Sequence, residues 1–173
     1  MLPRLELDVT YAARRPWAPR RGEFLRWASG ALAGGLETAR PRARARAGLT
    51  KPRGRGAGAR IALSVRIVGE ARSRALNARY RRKDRPTNVL SFAGAGRLPD
   101  GRTFLGELVI CAPVVAREAR SQGKTPPAHW AHMTVHGMLH LLGFDHERSA
   151  EARKMAAREI QILDRLGFSN PYA

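Results

Sequence analysis

The chain holds a single cysteine, Cys111. One thiol cannot form an intrachain disulfide, nor supply the clustered thiolates of a structural zinc site. Cys111 follows the apolar run ELVIC and reads as a small buried residue. Acidic residues are scarce too: 14 Asp and Glu stand against 32 Lys and Arg, a net charge of +18. No run approaches the roughly 18 apolar residues that a membrane helix needs. The opening MLPRLELDVTYAARRPW alternates apolar and charged positions and lacks the apolar block of a signal peptide. The expected location is therefore the cytoplasm. Histidine is rare and confined, with all five copies between positions 129 and 146.

What the chain has in excess is positive charge, which speaks about partners and not about fold. Nucleic acid is the polyanion that fits, because Lys and Arg displace condensed counterions from phosphates. A neutral explanation stands beside it. Only four of the basic residues are lysine, and an arginine excess also follows from GC-rich coding. A membrane surface fits less well, since no basic helix carries a broad apolar face. The charge is uneven: residues 11 to 60 hold thirteen basic residues against Glu23 and Glu37, +11 of the +18. Within that span RPRARARAGLTKPRGRGAGAR, Arg40 to Arg60, has low complexity and no apolar periodicity. It cannot bury enough surface to offset the entropy of ordering it. It reads as a flexible basic insertion that either grazes RNA or is only a solvated loop.

The length of 173 residues fits one domain, and a hydrophobic fraction of 43% suffices for one core. RLELDVTY alternates at period two and reads as a strand. GEFLRWASGALAGGLETA places Phe24, Leu25, Trp27, Leu32 and Leu36 near helical spacing, a helix weakened by Gly34 and Gly35. RIALSVRIV is a second strand, with Ile61, Leu63, Val65 and Ile67 on one face. GEARSRALNARYR reads as a helix with Ala71, Leu76 and Tyr80 toward the core, broken at RKDRP because Pro86 disfavours helix at Arg85. TNVLSFA and FLGELVICA read as strands around the turn-rich GAGRLPDG. Three helices follow, ending at Gly123, Gly143 and Gly167. Strands first and helices last give an α+β class with a small mixed sheet of about four strands and about five helices.

The histidines carry the chemistry. In HGMLHLLGFDH, His136 and His140 stand four residues apart, one turn along one helix face. Two imidazoles so placed reach a single ion at about 2.0–2.1 Å. Gly143 ends the helix, and the turn after it can carry His146 back to the same ion. Three ligands and an open position describe a catalytic zinc site, although imidazole also suits nickel, copper or iron. A lone histidine on an apolar face is usually a hydrogen-bonded core residue; three in this arrangement are hard to explain by packing. His132, one turn before His136, is either a contact near the site or a satisfied core histidine, and His129 is weaker still. Asp145 either orients a histidine or caps the turn.

The spacing 136, 140, 146 with glycine at 143 matches the metzincin pattern H-E-x-x-H-x-x-G-x-x-H. In those proteases the glutamate after the first histidine is the general base. Here that position is Gly137. The ligand spacing is kept and the peptidase base is missing.

HGMLHLLGFDH also resembles the H-G-x-L-H-L-x-G-x-D-H signature of the YbeY family of bacterial endoribonucleases. LNARYRRKDRPTNVLSF, LGELVIC, HWAHMTVHG and the closing LGFSNPY are similar to that family as well. The likeness covers Ile61 to the C-terminus well and the first strand and helix in outline; the Arg40–Arg60 stretch looks peculiar to this chain. The resemblance implies a zincin-like α+β fold and one zinc ion held by His136, His140 and His146. It also implies a functional arginine at Arg81. The implied substrate is single-stranded ribosomal RNA, notably the 3′ end of the small-subunit RNA, and the implied setting is small-subunit maturation and quality control. Arginine suits that chemistry, because its guanidinium grips two phosphate oxygens at once and offsets charge built during phosphodiester cleavage. Lys83 and Arg85 are then candidate RNA-backbone contacts, with His132 as a further candidate RNA contact near the site. Two other readings stay open: a non-catalytic ribosome-assembly RNA-binding factor with a structural metal, and a metallohydrolase of another substrate. Gly137 and the net charge of +18 weigh against a peptidase.

Overall fold

The computed structural model describes residues 3–13, 16–38, 45, 59–144 and 149–173. Most of the Arg40–Arg60 insertion, together with Asp145 and His146, lies outside the described residues. The strands are β1 (Arg4–Tyr11), β2 (Arg60–Val68), β3 (Val89–Arg97) and β4 (Thr103–Cys111). The helices are α1 (Arg21–Thr38), α2 (Glu70–Arg81), α3 (Ala112–Ser121), α4 (Pro126–Leu141) and α5 (Ser149–Arg165). The strands form one mixed sheet in the order β1-β2-β4-β3. β1, β2 and β4 run parallel, and β3 is an antiparallel edge strand on β4. The α+β class with four strands and five helices is thus the architecture of the described residues.

The sheet is covered on both faces, as its parallel pairs require. Ile61, Leu63, Val65 and Ile67 of β2 point together into the main core, with Phe24 and Trp27 of α1, Met138 and Leu139 of α4, and Ile162 of α5. The opposite face is smaller: Val68, Leu90, Val109 and Cys111 meet Val114, with Leu76 of α2 packed against them. Cys111 is fully buried. No helix among the described residues is long and apolar enough to cross a membrane.

α1 differs from its sequence reading. It runs unbroken through Gly34 and Gly35. A Cβ on Gly34 would meet Ile162 Cγ1 at 2.6 Å, and one on Gly35 would collide with Leu142 Cδ1. The glycines do not weaken an isolated helix; they let α1 lie directly on α4 and α5. α2 also differs. Ala71 and Tyr80 are exposed, while Ser73 and Asn77 are buried. β3 continues through GAGR, because Gly94 lets its backbone approach the Phe104 carbonyl where any Cβ would collide.

α4 is the element that positions the site. Thr125 caps it by accepting from Ala128 N at 3.4 Å, and prolines occupy its first positions. It ends in a Schellman turn: Gly143 N–H donates to the His140 carbonyl and Phe144 N–H to the Leu139 carbonyl, with Gly143 at φ +86°. The helix therefore stops where the sequence placed its end, one turn after His140.

Candidate metal centre

His129, His132, His136 and His140 fall on one stripe of α4, with successive ring centroids 6.1, 6.3 and 4.7 Å apart. His129 and His132 are buried, whereas His136 and His140 are half-buried, so the stripe opens toward its C-terminal end. There the Nε2 atoms of His136 and His140 face each other at 3.1 Å. Two imidazoles bound tetrahedrally to one ion at the usual N–metal distance hold their nitrogens about 3.3 Å apart. The observed separation, which is also hydrogen-bond length, is close to what a shared ion would need.

His136 is held from behind. Its Nδ1 lies 2.6 Å from Oε1 of Glu159, which α5 carries into the core at 1% exposure. The Tyr172 hydroxyl donates to Oε2 of the same carboxylate. Burial pushes the Glu159 carboxyl up, but the imidazoles of His132 and His136, the charge on His136 and the Tyr172 hydroxyl outweigh it and hold the group at about 2. Burial and the adjacent carboxylate push the Tyr172 hydroxyl up. His132 is 7% exposed; its Nε2 stands 3.5 Å from Glu159 Oε2, and neither ring nitrogen makes a hydrogen bond among the described residues. That burial places His132 inside the protein.

His132, His136 and Glu159 bring one donor each within 4.8 Å of one another, so this group could also hold an ion. The 2.6 Å contact between His136 and Glu159 is hydrogen-bond length. As joint tetrahedral ligands the two atoms would stand about 3.3 Å apart. The geometry favours Glu159 as the partner of a ligand over Glu159 as a ligand.

At the buried end of the stripe, His129 Nε2 lies 2.8 Å from Glu118 Oε2, and Asn88 Nδ2 donates to both Glu118 oxygens at 3.1 and 3.2 Å. Burial pushes the Glu118 carboxyl up, but those hydrogen bonds and the charges of His129 and Arg117 outweigh it and leave it below the ordinary glutamate value.

Gly137 points away from the histidines and onto the sheet. A Cβ there would meet Leu108 Cδ2 at 2.8 Å, Ser91 Oγ at 3.1 Å and Val89 Cγ2 at 3.3 Å. Ser91 Oγ donates to the Gly137 carbonyl at 3.1 Å. The position that carries a base in metzincins is here the contact between α4 and the edge hairpin.

Arg81 ends α2, and Arg81, Lys83 and Arg85 are all exposed on the turn leading into β3. The turn is firmly built. Arg82 adopts the left-handed conformation at φ 57°, rare for a residue with a side chain. Arg74 grips Asp84 with two bonds of 2.7 Å, Asn77 Nδ2 donates to the Arg85 carbonyl at 2.8 Å, and Ser73 Oγ donates to the Thr87 carbonyl at 2.9 Å. The buried polar face of α2 thus pins the basic turn. The turn feeds β3, the strand against which Gly137 packs.

Sequence reasoning missed Glu159, Tyr172 and Glu118. For Glu159 a signal existed: it shares the inward stripe of α5 with Met155 and Ile162. A carboxylate on an apolar stripe is rarely buried unless paired.

The family model described as Endoribonuclease YbeY matches residues 48–167. A curated protein of Alkalilimnicola ehrlichii named Endoribonuclease YbeY is 48% identical, over 98% of this chain and 92% of the relative. One of the same name from Stenotrophomonas maltophilia is 44% identical, over 98% and 94%. A solution structure of a Thermotoga maritima protein aligns over 94% of this chain and 91% of its own, at 20% identity and a TM-score of 0.49.

Proposed function

Because the chain belongs to the YbeY family of endoribonucleases, we propose that it is a zinc-dependent hydrolase of RNA phosphodiester bonds, acting on single-stranded ribosomal RNA at the 3′ end of the small-subunit RNA. The observation that carries the reading is the pair of facing Nε2 atoms on His136 and His140, 3.1 Å apart. His136 and His140 hold the ion, and His146, placed by its spacing in HGMLHLLGFDH, completes the ligand set. When bound, the ion supplies Lewis acidity at a phosphate oxygen.

The remaining work falls to the chain's own residues. Arg81 grips the phosphate and offsets the charge that builds on it. Lys83 and Arg85, exposed on the same turn, contact neighbouring phosphates. Gly137 supplies no base, so proton abstraction from a water by the residue after the first histidine, as in the proteases, does not operate here. The charge of +18 attracts polyanions and repels basic peptides. The chain then acts in the cytoplasm, in small-subunit maturation and quality control. The test is cleavage of a single-stranded rRNA fragment by wild type, His140→Ala and Arg81→Ala. Loss of cleavage in both variants supports the reading; equal cleavage by all three sinks it.

A further inference from the structure

Glu159 is not used by the proposed chemistry, nor is the closing tail LGFSNPY. The two meet in the structure. Glu159 is 1% exposed, and a buried carboxylate is costly unless its oxygens are partnered. Oε1 is paired with His136 Nδ1 at 2.6 Å, and Oε2 accepts the Tyr172 hydroxyl. Tyr172 does not reach that position through apolar burial, since it is 56% exposed. The tail is fastened beside it: Lys124 Nζ donates to the Pro171 carbonyl at 2.5 Å, and Phe168 packs edge-on against Trp27 with centroids 6.0 Å apart. The Tyr172 ring also meets His132 edge-on at 5.5 Å.

A carboxylate accepts hydrogen bonds and donates none. With Tyr172 donating to one oxygen, the other accepts from His136, so the His136 proton resides on Nδ1. In the neutral imidazole, the form that binds a metal, Nε2 then keeps its lone pair, and Nε2 is the atom facing His140. We propose that Glu159, anchored by Tyr172, is a positioning residue of the metal centre: the chain Tyr172–Glu159–His136 sets the tautomer and ring orientation that present His136 Nε2 to a divalent cation. The C-terminal tail is thereby part of the site. The inference rests on reading His136 as a metal ligand. The bland alternative is a buried acid that only neutralises its surroundings, with no consequence for the imidazole's proton.

Two measurements separate these. In zinc-free wild type, long-range proton–nitrogen spectra of the imidazoles at neutral pH should show His136 with its proton on Nδ1; a proton on Nε2 overturns the proposal. Zinc affinity is then measured by competition with a chromophoric chelator for wild type, Glu159→Gln, Tyr172→Phe and His136→Ala, after melting curves of each zinc-free protein. Glu159→Gln should weaken zinc about 10- to 100-fold. Tyr172→Phe should weaken it by less than about tenfold, because the Glu159–His136 bond survives. Tyr172→Phe, altering an exposed ring, still tests the chain if Glu159→Gln does not fold. Wild type that takes up no zinc overturns the ligand reading and this proposal with it. Zinc bound by wild type, lost in His136→Ala and unchanged in both Glu159→Gln and Tyr172→Phe overturns this proposal alone.

Discussion

Gly137 rests on Leu108 so closely that a Cβ would stand 2.8 Å from Leu108 Cδ2. The glycine that follows the first histidine is therefore a packing residue between α4 and the sheet, as well as a missing base. Restoring the metzincin glutamate would not restore a protease. Gly137→Ala should destabilise the fold by about 1–3 kcal/mol through overpacking. Gly137→Glu should cost more, because it also buries a carboxylate with no partner built for it. Urea unfolding of both variants checks this; a Gly137→Glu protein as stable as wild type would contradict the packing.

His140→Ala should remove RNA cleavage and metal-dependent stabilisation together. Zinc at about a hundred times its dissociation constant should stabilise the wild-type fold by about 2.7 kcal/mol. A chelator should reverse that gain in wild type and change nothing in the variant. Thermal melts with and without zinc read the effect directly.

Arg81 is exposed and lies on a turn held by other residues, chiefly Ser73, Arg74 and Asn77. Arg81→Ala should leave stability within about 0.5 kcal/mol of wild type. Cleavage of single-stranded RNA should fall about 10²–10³-fold. Arg81→Lys should recover little, since a lysine cannot grip two oxygens in one plane. A melting temperature that drops with activity would assign Arg81 to the fold.

The Glu118 carboxyl is held below its ordinary value, against the effect of burial, by His129 and Asn88. A carboxylate depressed in the folded state adds stability that is fully present above its unfolded pKa and disappears as pH falls through the folded one. Wild type should therefore lose this contribution on acidification from about pH 4.3 downward. Glu118→Gln should lack that part of the acid response. Chemical unfolding from about pH 3 to 7 compares the two.

The strands and helices were legible because their patterns are local. β2 alternates Ile61, Leu63, Val65 and Ile67, and the structure buries that set together. The end of α4 was legible at Gly143 because a left-handed cap favours glycine. Other residues were misread for one shared reason. Gly34 and Gly35 count as helix weakeners only until Ile162 and Leu142 are seen against them. Tyr80 has the spacing of a core residue, yet Ser73 and Asn77 take the buried face because the loop beside α2 needs their hydrogen bonds.

The amino-acid sequence by itself determined the two-histidine face of α4, the glycine that ends it, the missing side chain at position 137 and the net charge of +18. Each depends on helical period, on backbone freedom or on composition, and these need no distant partner. Tertiary structure alone decided which atoms meet. It brought Glu159 from 23 residues away to His136 Nδ1, carried Tyr172 from the C-terminus to Glu159, and set Leu108 against Gly137. A buried carboxylate and a close helix-to-sheet crossing are defined by what surrounds them, and those surroundings exist only when the chain is folded.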